Sequence, residues 1–150
     1  LMTASGCHIL SAVRELIGLP KAIRSAVVSP NGMQFSLVFE YDNFNMVFEE
    51  MNDQEIVEFD EAIEIYQGDR KMLLEYDTPY IRYLPSKLTV SELDCGQAKT
   101  TVYGPHYHDM FANELLEFYR CVTTHDTPKC DVFDAAEDVK LYIDVAKMMK

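Results

Sequence analysis

Apolar residues recur at helical spacing near the start of the chain. The apolar stripe consists of Ile9, Leu10, Val13, Leu16 and Ile17. Gly18 then supplies a C-terminal stop, and Pro20 prevents the helix from continuing. The pattern predicts a helix over about residues 6–17 whose stripe faces a sheet.

The pattern changes to alternation with period two between residues 21 and 103, which is typical of strands. Runs such as "QFSLVFEY", "FNMVFEEM" and "EAIEIYQGDRKMLLEY" are bounded or broken by turn residues. The turns are predicted at residues 30–32, 42–43, 67–69 and 94–96. Consecutive hairpins indicate about six strands in a mainly antiparallel sheet.

Two further helices are predicted near the end of the chain. The first covers about residues 108–123, with an apolar face of Phe111, Leu115, Phe118 and Val122. The second begins at "DAAE", where Asp134 and Glu137 resemble a capping box, and its stripe is Val139, Ile143 and Ala146. The order of elements predicts an α+β fold in which helices cover one face of an open sheet.

The early hairpins carry apolar side chains on both faces of the predicted sheet. The alternation places Val38 and Val47 on one face of the predicted sheet. It places Phe39, Met46 and Phe48 on the other face. Helices on one side cannot cover both faces, so a second protein surface is expected on the other. We therefore expect a homodimer formed through the open face.

The bulk composition indicates one globular domain over residues 1–150. Hydrophobic residues make up 48% of the chain, the net charge is −12 and the pI is about 4.6. This charge argues against nucleic acid and anionic membranes as partners. No apolar run approaches the roughly 20 residues of a membrane span. We expect a cytoplasmic protein whose four cysteines are reduced.

Motifs for nucleotide binding are missing from the sequence. The glycines lie at positions 6, 18, 32, 68, 96 and 104, so no two are spaced as in Gly-x-Gly-x-x-Gly. We expect residues 1–150 alone to bind neither NAD nor NADP.

His106, His108 and Asp109 are the best candidates for a metal site, because residues two apart on a strand share a face. We favour the simpler interpretation, in which Asp109 complements the positive end of the next helix and no metal binds. The six glutamates between residues 49 and 64 are more consistent with a solvated hairpin face than with an acid–base pair.

His8 is the main catalytic candidate. It lies in the first turn of the first predicted helix, where the positive helix end favours neutral imidazole. A neutral imidazole can act as a general base or anchor a substrate hydroxyl. The alternative is a purely structural histidine.

Three pieces of the chain together resemble a known family. They are "GCHILSAVRELIGLPKAI", "IEIYQGDRKMLLEYDTPY" and "FANELLEFYRCVTTHDTPKCDVFDAAEDVKLYIDVAKMM". Their order and spacing are similar to the C-terminal domain of the glucose–fructose oxidoreductase, inositol dehydrogenase and MocA (Gfo/Idh/MocA) family. The resemblance spans nearly the whole chain, although Lys71 stands where that family usually has glycine in the hairpin.

The resemblance implies an open antiparallel sheet that dimerises through its free face. It also implies an NAD(P)-dependent oxidoreductase of sugars, polyols or related small molecules. The cofactor would bind an N-terminal Rossmann domain that this chain lacks. His8 matches the position of the family's proton-transfer histidine, while Ala4 replaces the aspartate that often precedes it by four residues.

Two hypotheses of different classes follow. The chain is either the substrate-binding and dimerisation part of a dehydrogenase, or a free-standing binding or assembly module of the same fold without chemistry. A glycine-rich strand–turn–helix segment upstream in the gene would favour the first.

Overall fold

A computed structural model describes residues 6–52, 55, 59–78, 80–107 and 109–149. The elements are α1 (Cys7–Ile17), β1 (Ala22–Val28), β2 (Gln34–Glu40), β3 (Asn45–Met51), β4 (Glu61–Gln67), β5 (Arg70–Tyr76), β6 (Pro85–Asp94), β7 (Gln97–Tyr107), α2 (Met110–Thr124) and α3 (Val132–Met148). They fall into two compact units: residues 1–56 with 129–150, and residues 57–128.

The first unit is built on an antiparallel sheet in the order β1-β2-β3. Alternate residues of the central strand β2 point to one face, where Phe35, Leu37 and Phe39 are buried. Leu10 of α1 and Val145 of α3 join the same core. Helices therefore cover this face of the sheet, and burial of the apolar side chains stabilises the unit.

Helix α1 begins and ends where the sequence predicts. Gly6 is the N-cap, and Gly18 ends the helix with φ +80° while its N–H donates to the carbonyl of Arg14 at 2.8 Å. The expected stripe is only partly right, because Leu16 is 58% exposed. Leu10 and Val13 are buried, and Leu16 lies about 120° round the helix from Leu10, away from the sheet.

Helix α3 differs from the prediction in both its cap and its buried face. Its N-cap is Asp131, not Asp134, and the Asp131 carboxylate accepts from the N–H groups of Phe133 and Asp134 at 2.9 Å. The expected stripe is wrong, since its members Val139 and Ile143 are 54% and 51% exposed. The most buried residues are Asp138 and Val145.

The second unit contains an antiparallel sheet in the order β4-β5-β6-β7. Its hairpins confirm the predicted turns: Gly68 turns β4 into β5 with φ +59°, and Cys95 and Gly96 turn β6 into β7, both at positive φ. Across the sheet Leu74 pairs with Ile63 on one side and Leu88 on the other, so aliphatic side chains share one face.

Asp109 lies at the N-terminal end of helix α2, as the sequence predicts. This residue is the N-cap, and its carboxylate accepts from Ala112 N at 3.1 Å and pairs with Arg82 at 3.4 Å. The predicted apolar face is nevertheless exposed; its members are Phe111, Leu115, Phe118 and Val122. Cys121 is the buried residue of this helix.

The α+β class and the antiparallel pairing are confirmed. The strands form two hydrogen-bonded sheets of three and four, where the sequence predicts one sheet of about six. Within the described ranges, no helix is both long enough and apolar enough to cross a membrane.

Candidate functional site

His8 is the second residue of α1, and its side chain is exposed. It precedes the buried Leu10 by two residues, about 200° round the helix, so it points away from the core. Its catalytic role stays a prediction. Ala4 and His108, which also enter the sequence analysis, lie outside the described residues.

The backbone at the start of α1 packs closely against β3. A Cβ at Gly6 would lie 3.3 Å from Cζ of Phe48 and would overlap the carboxylate of Glu50. Glycine therefore lets the helix begin against this strand. The first turn, which carries His8, lies beside the end of β3.

An open cleft of about 690 Å³ lies where β2 begins and β3 ends, and its residues Gln34 and Met51 point to the face of the sheet opposite α1 and α3. The lining residues are Ser29, Pro30, Asn31, Met33, Gln34, Met51, Asn52 and Glu55. Hydroxyl, amide and carboxylate groups line it together with two thioethers. Such groups can form hydrogen bonds with hydroxyl groups of a ligand.

Arg14 connects α1 to α3 through two carboxylates. Its Nε donates to Asp138 Oδ1 at 2.6 Å, and its terminal nitrogens donate to both oxygens of Asp134 at 2.8 and 2.9 Å. These hydrogen bonds raise the pKa of Arg14 and lower the pKa of Asp134. The three side chains form a charged network between the two helices.

Tyr142 makes a second connection between α1 and α3. Its hydroxyl donates to the carbonyl oxygen of Cys7 at 2.9 Å. Desolvation, with a further effect from the charge of Asp138, raises the pKa of Tyr142 to about 12, so the hydroxyl keeps its proton at neutral pH.

Asp134, Asp138 and Tyr142 form the polar row of α3, a name we use below. They are spaced four residues apart and so lie along one side of the helix. The apolar periodicity of the sequence did not indicate this row. The spacing was the available signal, but the partners on α1 are more than 100 residues away in the sequence.

The remaining candidates are not gathered into a site. No three His, Cys, Asp or Glu side chains are arranged for a metal ion among the residues described. His106 lies on β7 opposite Ser86. Glu49 accepts from Ser36 and Glu64 pairs with Lys71, both on exposed surface. No disulfide joins the four cysteines, all of which are described.

Comparison with known proteins gives one informative likeness. No protein-family profile and no curated protein matches the chain. Among solved structures, yvaA from Bacillus subtilis, provisionally assigned as an oxidoreductase, matches with a TM-score of 0.73 and 12% sequence identity. The match covers 98% of this chain and 49% of that one, so this chain spans about half the length of yvaA. At this identity the likeness establishes the fold.

Proposed function

We propose that residues 1–150 form the C-terminal, substrate-binding and dimerisation domain of a cytoplasmic NAD(P)-dependent oxidoreductase of the Gfo/Idh/MocA family. The complete protein would transfer hydride from a sugar, polyol or related small molecule. The observation that carries this proposal is the likeness of nearly the whole chain to half of yvaA. The resemblance noted in the sequence supports the same assignment.

The nucleotide would bind outside this chain. Its glycines are never two apart in sequence, and Gly18, Gly32 and Gly68 lie at a helix end and in turns. These residues do not fit a dinucleotide cradle, which needs a glycine-rich turn that opens a helix.

His8 would supply the general base. An exposed imidazole can reach a substrate, whereas one buried beneath the sheet could not. The substrate O–H bond would break as its proton moves to the imidazole. The carbon would become a carbonyl as its hydrogen is transferred as hydride to NAD(P)⁺ held outside this chain.

The test is to express the complete protein that contains this chain and to screen sugars and polyols for reduction of NAD and NADP. With a substrate in hand, His8→Ala should lower kcat/KM by about 10²-fold, the scale of a lost general base. The matched control is His125→Asn, because His125 is the exposed C-cap of α2 in left-handed conformation, which asparagine tolerates. Undiminished activity of a folded His8→Ala protein would contradict the catalytic role.

The second candidate is a binding or assembly module without chemistry. Within the described ranges, the side chain of His8 has no hydrogen bond or ion pair, whereas a catalytic histidine usually has an orienting partner. If the complete protein binds neither NAD nor NADP by calorimetry, this second candidate replaces the first.

A further inference from the structure

Helix α1 is held by α3 at both of its ends. Near its C-terminal end, Arg14 bonds to Asp134 and Asp138. At its first residue, the Cys7 carbonyl accepts from Tyr142. All three partners on α3 belong to the polar row, so one side of α3 fixes where α1 lies along it.

The hydrogen bond from Tyr142 to the Cys7 carbonyl lies next to His8, the candidate general base. Cys7 directly precedes His8 and is the first residue of α1. In a regular α-helix its carbonyl also accepts from the N–H four residues further on, here that of Ser11. The Tyr142 hydroxyl therefore adds a second hydrogen bond to the carbonyl that closes the first turn. The terminal turns of a helix fray more readily than its middle unless they are tied down.

We propose that Tyr142 is a positioning residue for His8, which it serves by tying down the first turn of α1. This inference rests on the proposed function, because the position of His8 matters only if His8 meets a substrate. Arg14 fixes the other end of the helix, so loss of the Tyr142 hydroxyl loosens the first turn alone. The aromatic ring of Tyr142 packs against the core and is kept in phenylalanine.

The first test is amide hydrogen exchange in Tyr142→Phe under native conditions. We expect Ser11 to exchange about three- to tenfold faster, the effect of one lost hydrogen bond, while Ile17 at the other end is unchanged. The matched control is Tyr119→Phe, since Tyr119 is exposed on α2 and removing its hydroxyl should leave Ser11 unchanged. An unchanged rate at Ser11 in Tyr142→Phe, or equal acceleration at Ser11 and Ile17, would overturn the proposal.

The second test is a double-mutant cycle for kcat/KM in the complete protein. Tyr142→Phe should lower activity by roughly three- to tenfold when His8 is present and have no effect in the His8→Ala background. A merely structural role would give the same loss in both backgrounds and would overturn the positioning role. If His8→Ala retains full activity, the proposed function of His8 fails, whereas the exchange experiment still decides whether Tyr142 holds the turn.

Discussion

At the scale of single residues, the pair of Arg14 and Asp138 is the most consequential charged contact of the first unit. Only 12% and 11% of their side chains are exposed, so both charges have lost most of their hydration. Hydrogen bonding to Asp134 and Asp138 compensates Arg14 for that loss. Removing one partner of such a pair costs more than the pair itself contributes, because the other charge is left buried.

We predict that Arg14→Ala lowers the free energy of unfolding by about 3 kcal/mol, because Asp138 then keeps a buried charge without its cation. Urea unfolding of this chain measures the change. The matched control is Arg24→Ala, which removes an arginine that pairs with Glu40 on the surface and is 62% exposed. Exposed pairs contribute little, so equal losses in the two variants would contradict the prediction.

The same network predicts how stability depends on pH. Hydrogen bonds from Arg14 lower the pKa of Asp134 in the folded chain below its unfolded value, which is roughly 3.9. Its contribution to stability is therefore complete above about pH 5 and is lost as the pH falls through the folded pKa. Asp134→Asn should be less stable than the wild type at neutral pH, and the difference should close as the solution is acidified. A difference that stays constant down to pH values below roughly 3 would contradict this linkage.

At the scale of elements, local signals in the sequence predicted the strands and turns correctly. The turn glycines and the alternation of Phe35, Leu37 and Phe39 depend on neighbours in the sequence, and the structure follows them. The buried face of α3 could not be found in this way, because Asp138 is charged and its cation lies 124 residues away. The aliphatic pattern of the helix predicted Val139 on the buried face, but Val139 is exposed.

The candidate site was less predictable from the sequence than the strands and turns. The position of His8 in the first turn of α1 follows from the helix pattern, and its exposure follows from the phase of Leu10. The contact of Tyr142 with Cys7 joins residues 135 apart, so no local pattern could indicate it. Such contacts depend on which helices and strands pack together in the folded chain, and a single sequence does not reveal this packing.

The N-cap of α3 gives a prediction at this scale. Asp131→Ala should lower the free energy of unfolding by about 1 kcal/mol, because two N–H groups of the first turn lose their acceptor. Asp144→Ala is the control, since Asp144 lies within the same helix near its C-terminal end, exposed and paired with Lys147. Urea unfolding should show a loss for Asp131→Ala alone; a similar loss in both variants would mean that Asp131 does not act as the cap.

At the scale of the whole molecule, net charge and open apolar surface have opposite effects on association. The chain carries a net charge of −12, so two copies repel each other. In the first unit α1 and α3 cover one face of the β1-β2-β3 sheet, while Val27, Val47 and Met51 point to the other face and are more than 60% exposed. Burying these side chains against a second copy would remove apolar surface from water.

We predict that the chain forms a homodimer through this open face, with a mass near twice 17.2 kDa by light scattering. Screening of the like charges should make the dimer tighter as salt is added, whereas an interface held by ion pairs would weaken.

Val47→Glu places a charge in the open face and should give a monomer without loss of fold, since the side chain is already 62% exposed. Val122→Glu makes the same change on α2, outside this face, and should still dimerise. A monomer at high protein and salt concentration, or monomers from both variants, would show that this face is not the interface.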